Sequence, residues 1–502
     1  MLTGKPADTR TTFPSPIYSD TVLAVNFKDA QRLFLDPLIE LHYAHTLMLA
    51  RQGIIPVQVA RVCLQALDAL DIDQLRTVSY DGRSEDLFFY IQAEIERLCG
   101  EDNGGRMHIA RSRNDIDLTL YRMCLRRETL AVVEAMCQVR STLIGLANRH
   151  IDTLIPGYTH TQPAQPTTLA HYLLAAIECF TRDDIRFRAA FATINRNPLG
   201  SCAITTTGFP IDRNYTAELL GFEGLQLNSY GAIAGTDYVT ETAGAIATAM
   251  VNLGKLVQDL LLWCNPAFDY LRLSDAWVQI SSIMPQKRNP VALEHTRILA
   301  SKALAQAQGI FTAAHNTPFG DIVDSEDDLQ PLVFSMTSDA QRTLRLFGGL
   351  MADCEIDVEL LDRRAHDDFL TVTELADTLV RGDSLGFRAA HGLVSEAVRT
   401  LNGGYSPESM VDAVQILARE HLGRDLYTPR EDLLRALDPR WFVSIRRIPG
   451  GPAYEPVEAA LRLAQTSLAE TNAWIEAKRS LLASYPERIR RERSLVEQRG
   501  HG

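Results

Sequence analysis

Apolar residues recur at three- and four-residue steps through most of the chain, which is the helical period. The pattern predicts helices at 27–53, 56–70 and 84–100, and then at 114–151, 167–196, 238–264, 291–315 and 326–353. The last five are far longer than the average helix of about 11–12 residues. Apolar stripes of this length predict an extended helical bundle whose contacts continue into other subunits.

Both ends of the chain depart from this pattern. Residues 1 to about 27 are rich in Thr, Pro and Asp and lack periodicity, which predicts a loose lead-in. Past about 366 the helices shorten and Gly, Pro and charged residues return, and from Glu487 the segment is a charge-rich helix or tail. Because 502 residues exceed what one core usually holds, we predict three domains. They are an amino-terminal helical domain with a leading arm (1–113), a central long-helix bundle (114–365) and a carboxy-terminal helical domain with a charged tail (366–502).

Composition narrows the class of protein. Hydrophobic residues make up 46% and charged residues 23% of the chain, as in soluble globular proteins. The net charge of -13, without any basic run, argues against a nucleic-acid partner. No apolar run long enough to span a bilayer is evident, so no membrane partner is expected. The eight cysteines are scattered without a Cys-x-x-Cys pair, which predicts reduced thiols and a cytoplasmic location.

The most informative polar segment is 281–290, Ser-Ser-Ile-Met-Pro-Gln-Lys-Arg-Asn-Pro. Pro285 and Pro290 prevent this segment from forming the interior of a helix, and a helix pattern begins directly after Pro290. A lysine and an amide beside a helix start suit an anion that forms during a reaction. A serine in that field could act as a base. A surface turn with one lysine would contain the same residue types, so the residues alone leave both interpretations open.

Two further polar segments precede long helices. In the segment 104–115, Arg113 beside Ser112 and Asn114 suits a carboxylate clamp. A basic turn with a capped helix start is the competing interpretation. In the segment 156–166, which the prolines mark as a loop, His160 lies between two threonines, and an imidazole can serve as an acid or a base. A lone histidine is more often structural than catalytic.

These three segments together resemble the signature regions of the fumarase/aspartase superfamily. The segment 281–290 resembles Gly-Ser-Ser-x-Met-Pro-x-Lys-x-Asn-Pro, with Ile280 in place of the glycine. The segment 110–115 resembles the Gly-Arg-Ser-Arg-Asn-Asp motif of argininosuccinate lyase, with Ala110 in place of the glycine. The segments 157–166 and 444–453 resemble Gly-Tyr-Thr-His-x-Gln-x-Ala-Gln-Pro and Arg-x-x-x-Gly-Gly-x-Ala. Over roughly residues 30–475, the chain is identified as a member of the argininosuccinate lyase family.

The resemblance implies a fold, an assembly and a reaction. The fold is all-α, with three domains of the fumarase/aspartase type and a central bundle of long helices. The assembly is a homotetramer in which each active site gathers loops from three subunits. The reaction is an anti β-elimination that releases fumarate from an N-substituted L-aspartate, a small succinyl-amine or dicarboxylate substrate. No metal or organic cofactor is expected.

The resemblance also implies roles for individual residues. Ser281 is expected to remove the Cβ proton, and Lys287 to stabilise the charge that develops on the neighbouring carboxylate. His160 is expected to be an acid or base partner whose imidazole Glu294 orients. Substrate binding is implied for the remaining motif positions, which are Ser112, Arg113, Asn114, Thr159, Gln162, Ser282, Met284 and Asn289.

Where the family recognises the arginine half of its substrate, this sequence differs. Asp321, Glu326 and Leu329 replace a tyrosine, a glutamine and a lysine, and Val291 replaces an aspartate. His42 stands where a substrate-contacting serine is expected. Donors for an amino-acid carboxylate are lost and acids are gained, which favours a cationic amine leaving group without that carboxylate. Asp321 and Glu326 are therefore expected to bind substrate.

Three functions remain open from the sequence. The first is a carbon–nitrogen lyase with a leaving group other than arginine, as in the cleavage of an aminopolycarboxylate such as ethylenediamine-disuccinate. The second is an authentic argininosuccinate lyase of arginine biosynthesis with a variant pocket. The third is a non-catalytic, crystallin-like structural protein. Retention of Ser281, Lys287 and Asn289 argues against the third, because a structural role does not require them.

Overall fold

The computed structural model describes residues 13–367, 369–401 and 404–499. Its amino-terminal part contains α1 (Pro16–Tyr18), one π-helical turn (Ser19–Leu23), α2 (Ala24–Leu33), α3 (Leu35–Arg51), α4 (Val57–Asp68), α5 (Ile72–Thr77), α6 (Leu87–Cys99) and α7 (Glu101–Met107). The helices predicted at 27–53, 56–70 and 84–100 are therefore confirmed, although a break after Leu33 divides the first of them.

The predicted loose lead-in is wrong for residues 16–27, which are helical. Phe27 is buried between the rings of Tyr80 and Tyr90, at centroid distances of 5.5 and 5.9 Å. These contacts come from more than fifty positions further along the chain, so local periodicity does not reveal them. Residues 1–12, the rest of the predicted arm, lie outside the described residues.

The central part is a bundle of five long helices. In chain order its helices are α8 (Arg113–Arg149), α9 (Leu169–Ile194), α10 (Arg213–Leu219), α11 (Ser229–Ala234), α12 (Asp237–Trp263), α13 (Val291–Ala314) and α14 (Gln330–Ala352). The long ones begin and end within a few residues of the predicted limits. A capping box between Ser112 and Asp115 starts α8. Consecutive long helices pack side by side, and α14 returns to α8 and closes the bundle.

Short antiparallel strands occupy the connections between the long helices. They pair as β1 (Leu154–Thr159) with β2 (Gln162–Thr168), β3 (Leu271–Leu273) with β6 (Cys354–Ile356), and β4 (Gln279–Ile280) with β5 (Arg288–Asn289). The loop predicted at 156–166 is thus a β-hairpin, and that prediction is wrong. Its prolines argued against a strand, but each strand of a two-stranded hairpin has a free edge that tolerates proline.

The carboxy-terminal part has a hydrophobic core of its own. It contains α15 (Val358–His366), α16 (Val372–Asp383), α17 (Phe387–Leu401), α18 (Pro407–Leu422), α19 (Arg430–Ala436), α20 (Pro439–Ser444) and α21 (Tyr454–Arg499). Residues of α16 to α19 form this separate core. The 46-residue α21 leaves it and packs along α8 and α9 of the bundle. The domain boundaries 113/114 and 365/366 stay a prediction.

Two bundle helices, α8 and α12, are long and apolar enough to cross a membrane by length and composition alone. The sequence analysis did not expect such a run. In the fold both are core helices, and 67% of the most apolar window of α8 is buried against the rest of the protein. The corresponding window of α12 is only 44% buried, so part of its apolar face remains uncovered in one chain.

Candidate active site

The predicted site residues lie at two opposite ends of the bundle. The start of α8 lies beside the segment 315–329, because the Tyr121 hydroxyl donates to Asp327 Oδ1 at 2.7 Å. At the other end, the β1–β2 hairpin contacts the connection after α12 through Tyr158 and Tyr270, whose hydroxyls are 2.8 Å apart. A helix of 37 residues such as α8 is about 55 Å long. One chain therefore cannot bring both groups into a single site.

At the first end, a turn before α8 carries Ser112 and Asn114. The Ser112 hydroxyl donates to Asn114 Oδ1 at 2.8 Å, and Asn114 Nδ2 donates to the Ala203 carbonyl at 3.1 Å. Ala110 enters the turn in the left-handed region, with φ of 60°. That conformation is uncommon for a residue with a side chain. The geometry explains why the related motif has glycine at this position.

Arg113, beside them, is already paired with carboxylates of its own chain. Its Nη2 and Nε donate to Asp117 Oδ2 at 2.8 and 3.1 Å, and Nη1 forms an ion pair with Asp86. The guanidinium also lies over the Phe88 and Phe89 rings, at 5.3 and 5.9 Å from their centroids. Its positive charge is therefore largely balanced before any substrate is present.

The same end holds a set of acids, which we call the acidic set: Asp117, Asp321, Glu326 and Asp327. Burial, a hydrogen bond with Asp321 and the charges of the other acids raise the pKa of Glu326 to about 8. Burial raises the pKa of Asp117 to about 6, although Arg113 opposes this shift. Because its pKa lies above 7, Glu326 retains its proton at neutral pH.

At the second end, the predicted catalytic loop is held on a short stem. Gln279 pairs with Asn289 and Ile280 with Arg288, so Ser281 and Lys287 stand at the two exits of this stem. Inside the loop, Ser281 Oγ accepts hydrogen bonds from the backbone amides of residues 283 and 284 at 3.3 and 3.1 Å. Donors of this kind stabilise negative charge on the oxygen, as a serine acting as a base requires.

Three side chains hold the stem in place, two of them through Asp353 at the end of α14. Trp277 Nε1 donates to Asp353 Oδ2 at 3.0 Å, and the Ser274 hydroxyl donates to the same oxygen at 2.5 Å. Arg288 donates to the Leu273 carbonyl at 2.8 Å and pairs with Asp275. The loop therefore extends from a fixed base, while Ser282, Met284 and Lys287 on it are exposed.

A cavity of about 890 Å³ opens beside this loop. Its lining combines loop residues with charged groups of the neighbouring strands and of α15, among them Met284, Lys287, Asn289, Arg272, Glu355 and Glu359. The volume is in the range of small-molecule sites. Lys287 and Asn289 thus share a concave wall, as the predicted carboxylate site requires.

His160 occupies the exposed tip of the β1–β2 hairpin. It and Thr161 form a two-residue turn with φ of 52° and 61°, and Thr159 and Gln162 flank the turn. Glu294 is exposed in the first turn of α13. In the part of the chain that the structure describes, no hydrogen bond joins Glu294 to His160. The orientation of the imidazole by Glu294 therefore stays a prediction.

The sequence analysis missed four residues at the first end of the bundle: Asp86, Asp117, Tyr121 and Asp327. The spacing of Arg113 and Asp117 by four positions on a helix is a recognisable ion-pair signal. Asp327 lies in a run of three acids with Glu326, which also hinted at a charged surface. The contact of Tyr121 with Asp327 spans 206 positions and has no signal in the sequence.

The long-helix bundle and the stem-held serine loop together define a lyase of the fumarase/aspartase type. A family model described as Lyase matches residues 59–305, and one described as Argininosuccinate lyase C-terminal matches residues 369–444. Argininosuccinate lyase 2 of Agrobacterium fabrum is 40% identical over 93% of both chains. Argininosuccinate lyase of Methanoculleus marisnigri is 38% identical over 91% of this chain and 92% of its own.

Solved structures agree with these sequence relatives. EDDS lyase in complex with formate has a TM-score of 0.86 and 31% identity over 94% of this chain and 93% of its own. An EDDS lyase variant with bound fumarate has a TM-score of 0.85 and 30% identity over 98% and 99% of the two chains. A fumarate lyase of Mesorhizobium sp. BNC1 is 17% identical with a TM-score of 0.69 over 88% and 97% of the chains, and shows only the fold.

The chain belongs to the argininosuccinate lyase family of the fumarase/aspartase superfamily. It is a carbon–nitrogen lyase that acts on a small-molecule substrate and releases fumarate. The predicted family, the all-α fold and the enzyme class are thereby confirmed. A non-catalytic structural role is not favoured.

Proposed function

We propose that the leaving group of the substrate is a cationic amine that carries no amino-acid carboxylate. The observation that carries this proposal is the acidic set at the start of α8, where burial and the neighbouring acids raise the pKa of Glu326 to about 8. The only nearby cation named by the resemblance, Arg113, is already paired with Asp117 and Asp86. A carboxylate entering here would face like charge, whereas an ammonium group would neutralise it.

The binding of a cation also gives a role to the proton that Glu326 holds in the free enzyme. Carboxyl groups crowded together keep a proton because they cannot all ionise. An ammonium group beside Glu326 would lower its pKa and release that proton on binding. Ethylenediamine-disuccinate is only a partial match, because its leaving group, N-(2-aminoethyl)aspartate, combines a second amine with the carboxylates of one aspartate unit. The similarity to the solved EDDS lyases over nearly the whole chain supports an amine leaving group other than arginine.

Argininosuccinate cleavage is the second candidate. The observation in its favour is the 40% identity to a relative named argininosuccinate lyase 2 over 93% of the chain. Asp321 and Glu326 argue against it. They are acids at the positions where the family has a tyrosine and a glutamine to bind the arginine half of the substrate. Such a difference in the binding residues changes the ratio of the kcat/KM values for two substrates. Measuring kcat/KM for both substrates therefore distinguishes the two candidate functions.

We also propose that the chain works in the cytoplasm as a homotetramer with shared active sites. The two groups of site residues lie about 55 Å apart along one bundle. Antiparallel association of bundles would bring the first end of one chain beside the second end of another. The bundle helices expose apolar side chains suited to such contacts, including Ile185, Val251, Ile298 and Phe311.

In the proposed mechanism, Ser281 removes the Cβ proton of the succinyl group. The electron pair passes to the neighbouring carboxylate, which Lys287 and Asn289 hold as its charge grows. The C–N bond then breaks, the nitrogen keeps its electron pair, and fumarate forms. Thr159, Gln162, Asn114, Ser112, Ser282 and Met284 are proposed to bind substrate, with His160 and Glu294 as an acid–base pair. Arg113 is proposed to contribute to substrate binding indirectly, because its ion pair with Asp117 holds the acidic set in place.

The test is fumarate formation followed by NMR with matched substrates. N-(2-aminoethyl)aspartate carries a distal ammonium group, and N-propylaspartate is nearly the same size without that charge. We expect kcat/KM to be at least about tenfold higher for the charged substrate, a difference that corresponds to about 1.4 kcal/mol. Ethylenediamine-disuccinate and argininosuccinate complete the panel.

The outcomes separate the two candidates. A kcat/KM for argininosuccinate above that for N-(2-aminoethyl)aspartate would contradict the proposed leaving group and favour the second candidate. Equal rates for the aminoethyl and propyl compounds would show that the acidic set does not recognise charge. Release of fumarate from any member of the panel leaves the assignment as a lyase in place.

A further inference from the structure

A buried cationic cluster lies next to the turn that starts α8 but takes no part in the proposed mechanism. Its centre is Arg111, which is 6% exposed. Arg111 Nη1 contacts His42 Nδ1 at 2.9 Å, while its Nε and Nη2 have no hydrogen-bond partner in the described part of the chain. The charge of Arg111 also lowers the pKa of His45 and His108, and it acts on Cys63 and Asp115.

The three imidazoles of this cluster are neutral. A guanidinium only donates hydrogen bonds, so His42 Nδ1 accepts and the His42 proton is on Nε2. Burial, together with the charge of Arg111, holds the pKa of His42 well below its ordinary value and lowers the pKa of His45 to about 3. The same two causes lower the pKa of His108 to about 4. The charge of the cluster is therefore that of Arg111.

The charge of Arg111 has no counterion in direct contact. Burial lowers its pKa to about 10, so it remains protonated at neutral pH, and Asp115 is the carboxylate that most offsets this shift. The Asp115 oxygens already accept backbone amides of Ser112, Gly200 and Cys202 at 2.9, 2.7 and 2.9 Å. Within residues 13–367, 369–401 and 404–499, no carboxylate lies within ion-pair distance of Arg111. An unpaired buried charge of this kind is costly.

The two free nitrogens of Arg111 converge by their covalent geometry. Nε and Nη2 lie on one edge of a planar group, and their N–H bonds point in nearly the same direction. One acceptor atom, or the two oxygens of one carboxylate, satisfies both donors. The Phe88 ring lies 5.7 Å from the guanidinium and 5.8 and 5.7 Å from the His42 and His108 rings, which excludes water from this side.

We propose that the Nε–Nη2 edge of Arg111 binds a small monovalent anion, a halide or a formate-sized carboxylate. The bound anion neutralises Arg111 inside the fold. It also stabilises the turn at 108–112, which is held by the hydrogen bond of His45 Nε2 with the Ile109 carbonyl at 2.8 Å. This site is distinct from Arg113, whose guanidinium is occupied by Asp117 and Asp86.

Bromide provides the direct test, because it replaces chloride and its position appears in anomalous diffraction. The full-length protein is crystallised from a chloride-free buffer containing sodium bromide. The proposal expects an anomalous peak within hydrogen-bond distance of Arg111 Nε and Nη2. A water molecule at that position, or bromide found only on the surface, overturns the proposal. This result does not depend on whether the proposed substrate is correct.

Thermal unfolding gives the second measurement. In sodium bromide the Tm is expected to exceed the Tm in sodium gluconate of equal ionic strength by at least about 2 °C, in a saturating manner. The difference should disappear in Arg111→Gln and persist in Arg106→Gln, whose side chain is exposed and paired with Asp102 on the same short helix. Equal Tm values for the unmodified protein in both salts contradict the proposal, even where Arg111→Gln fails to fold.

Discussion

Arg113 and Asp117 lie one turn apart on α8, and Arg113 Nη2 donates to Asp117 Oδ2 at 2.8 Å. The guanidinium that the family resemblance assigns to substrate is thus joined to a carboxylate of its own helix. Asp117 is in turn one of four acids gathered at this end of the bundle. The charge that faces a leaving group here is negative, and the proposed amine specificity follows from this relationship.

Removing a carboxylate from the acidic set should weaken the binding of a cationic substrate. We expect Glu326→Gln and Asp321→Asn each to raise KM for N-(2-aminoethyl)aspartate by about tenfold, since one partly buried charge pair contributes about 1–2 kcal/mol. KM for N-propylaspartate should change little. Steady-state kinetics with both substrates measures the difference. Asp324→Asn, in the same segment but outside the acidic set, is the matched control, and an equal effect there would contradict charge recognition by the acidic set.

Stability should depend on pH through Glu326. Its pKa is about 8 in the fold against an ordinary value of 4.5. Below pH 4.5 the native and unfolded chains both hold the proton. Between pH 4.5 and 8 only the native chain holds it, so the free energy of unfolding falls as the pH rises.

Thermal unfolding between pH 5 and 8.5 measures this dependence. Glu326→Gln cannot ionise, so its Tm should fall less steeply with pH than that of the unmodified protein. Glu218→Gln, an exposed substitution on α10, should follow the unmodified protein. Parallel curves for all three proteins would show that Glu326 ionises normally in the fold.

Loss of the proposed base should stop turnover without unfolding the protein. Ser281 is half-buried and accepts only local backbone amides, so Ser281→Ala should leave Tm nearly unchanged. We expect kcat to fall by about 10²–10⁴, the usual contribution of a general base. The ultraviolet absorbance of fumarate measures the rate. Ser301→Ala, an exposed serine on α13, is the control, and a Ser281→Ala enzyme with full activity would refute the proposed mechanism.

Two inactive variants, substituted at opposite ends of the bundle, should regain activity when they assemble together. In a shared site, a Ser281→Ala chain still supplies the first end and an Asn114→Ala chain still supplies the second. Mixed oligomers then contain some intact sites. After joint unfolding and refolding, we expect activity at least about tenfold above that of either variant refolded alone. Activity no greater than the sum of the parents would mean that each chain builds its own site.

The anchor of the loop stem should influence catalysis more than binding. Trp277→Phe keeps a ring of similar size but loses the hydrogen bond to Asp353. A hydrogen bond of about 1 kcal/mol that positions Ser281 corresponds to a fall in kcat of about fivefold, with KM almost unchanged. Trp441→Phe in α20, distant in the chain from the loop, should have normal kinetics. A change in KM alone would assign Trp277 to binding instead.

The sequence was a good guide to whatever depends on neighbouring residues. The limits of α8, α9, α12, α13 and α14 follow from helical period, caps and prolines, all of which act within a few positions. The segment 281–290 identified the family because its serine, lysine and asparagine stand at fixed spacing. Contacts between distant positions were invisible to this approach, as with the burial of Phe27 beside Tyr80 and the pairing of the hairpin strands.

What the sequence alone determined, therefore, is the family, the helical bundle and the residue types available for chemistry. Only the tertiary structure decided how those residues are grouped. It placed Ser281 and Arg113 at opposite ends of the bundle, and it set Asp117 and Asp327 beside Glu326. The physical reason is that charge and proton affinity depend on distance and burial in space, which the order of residues along the chain does not specify.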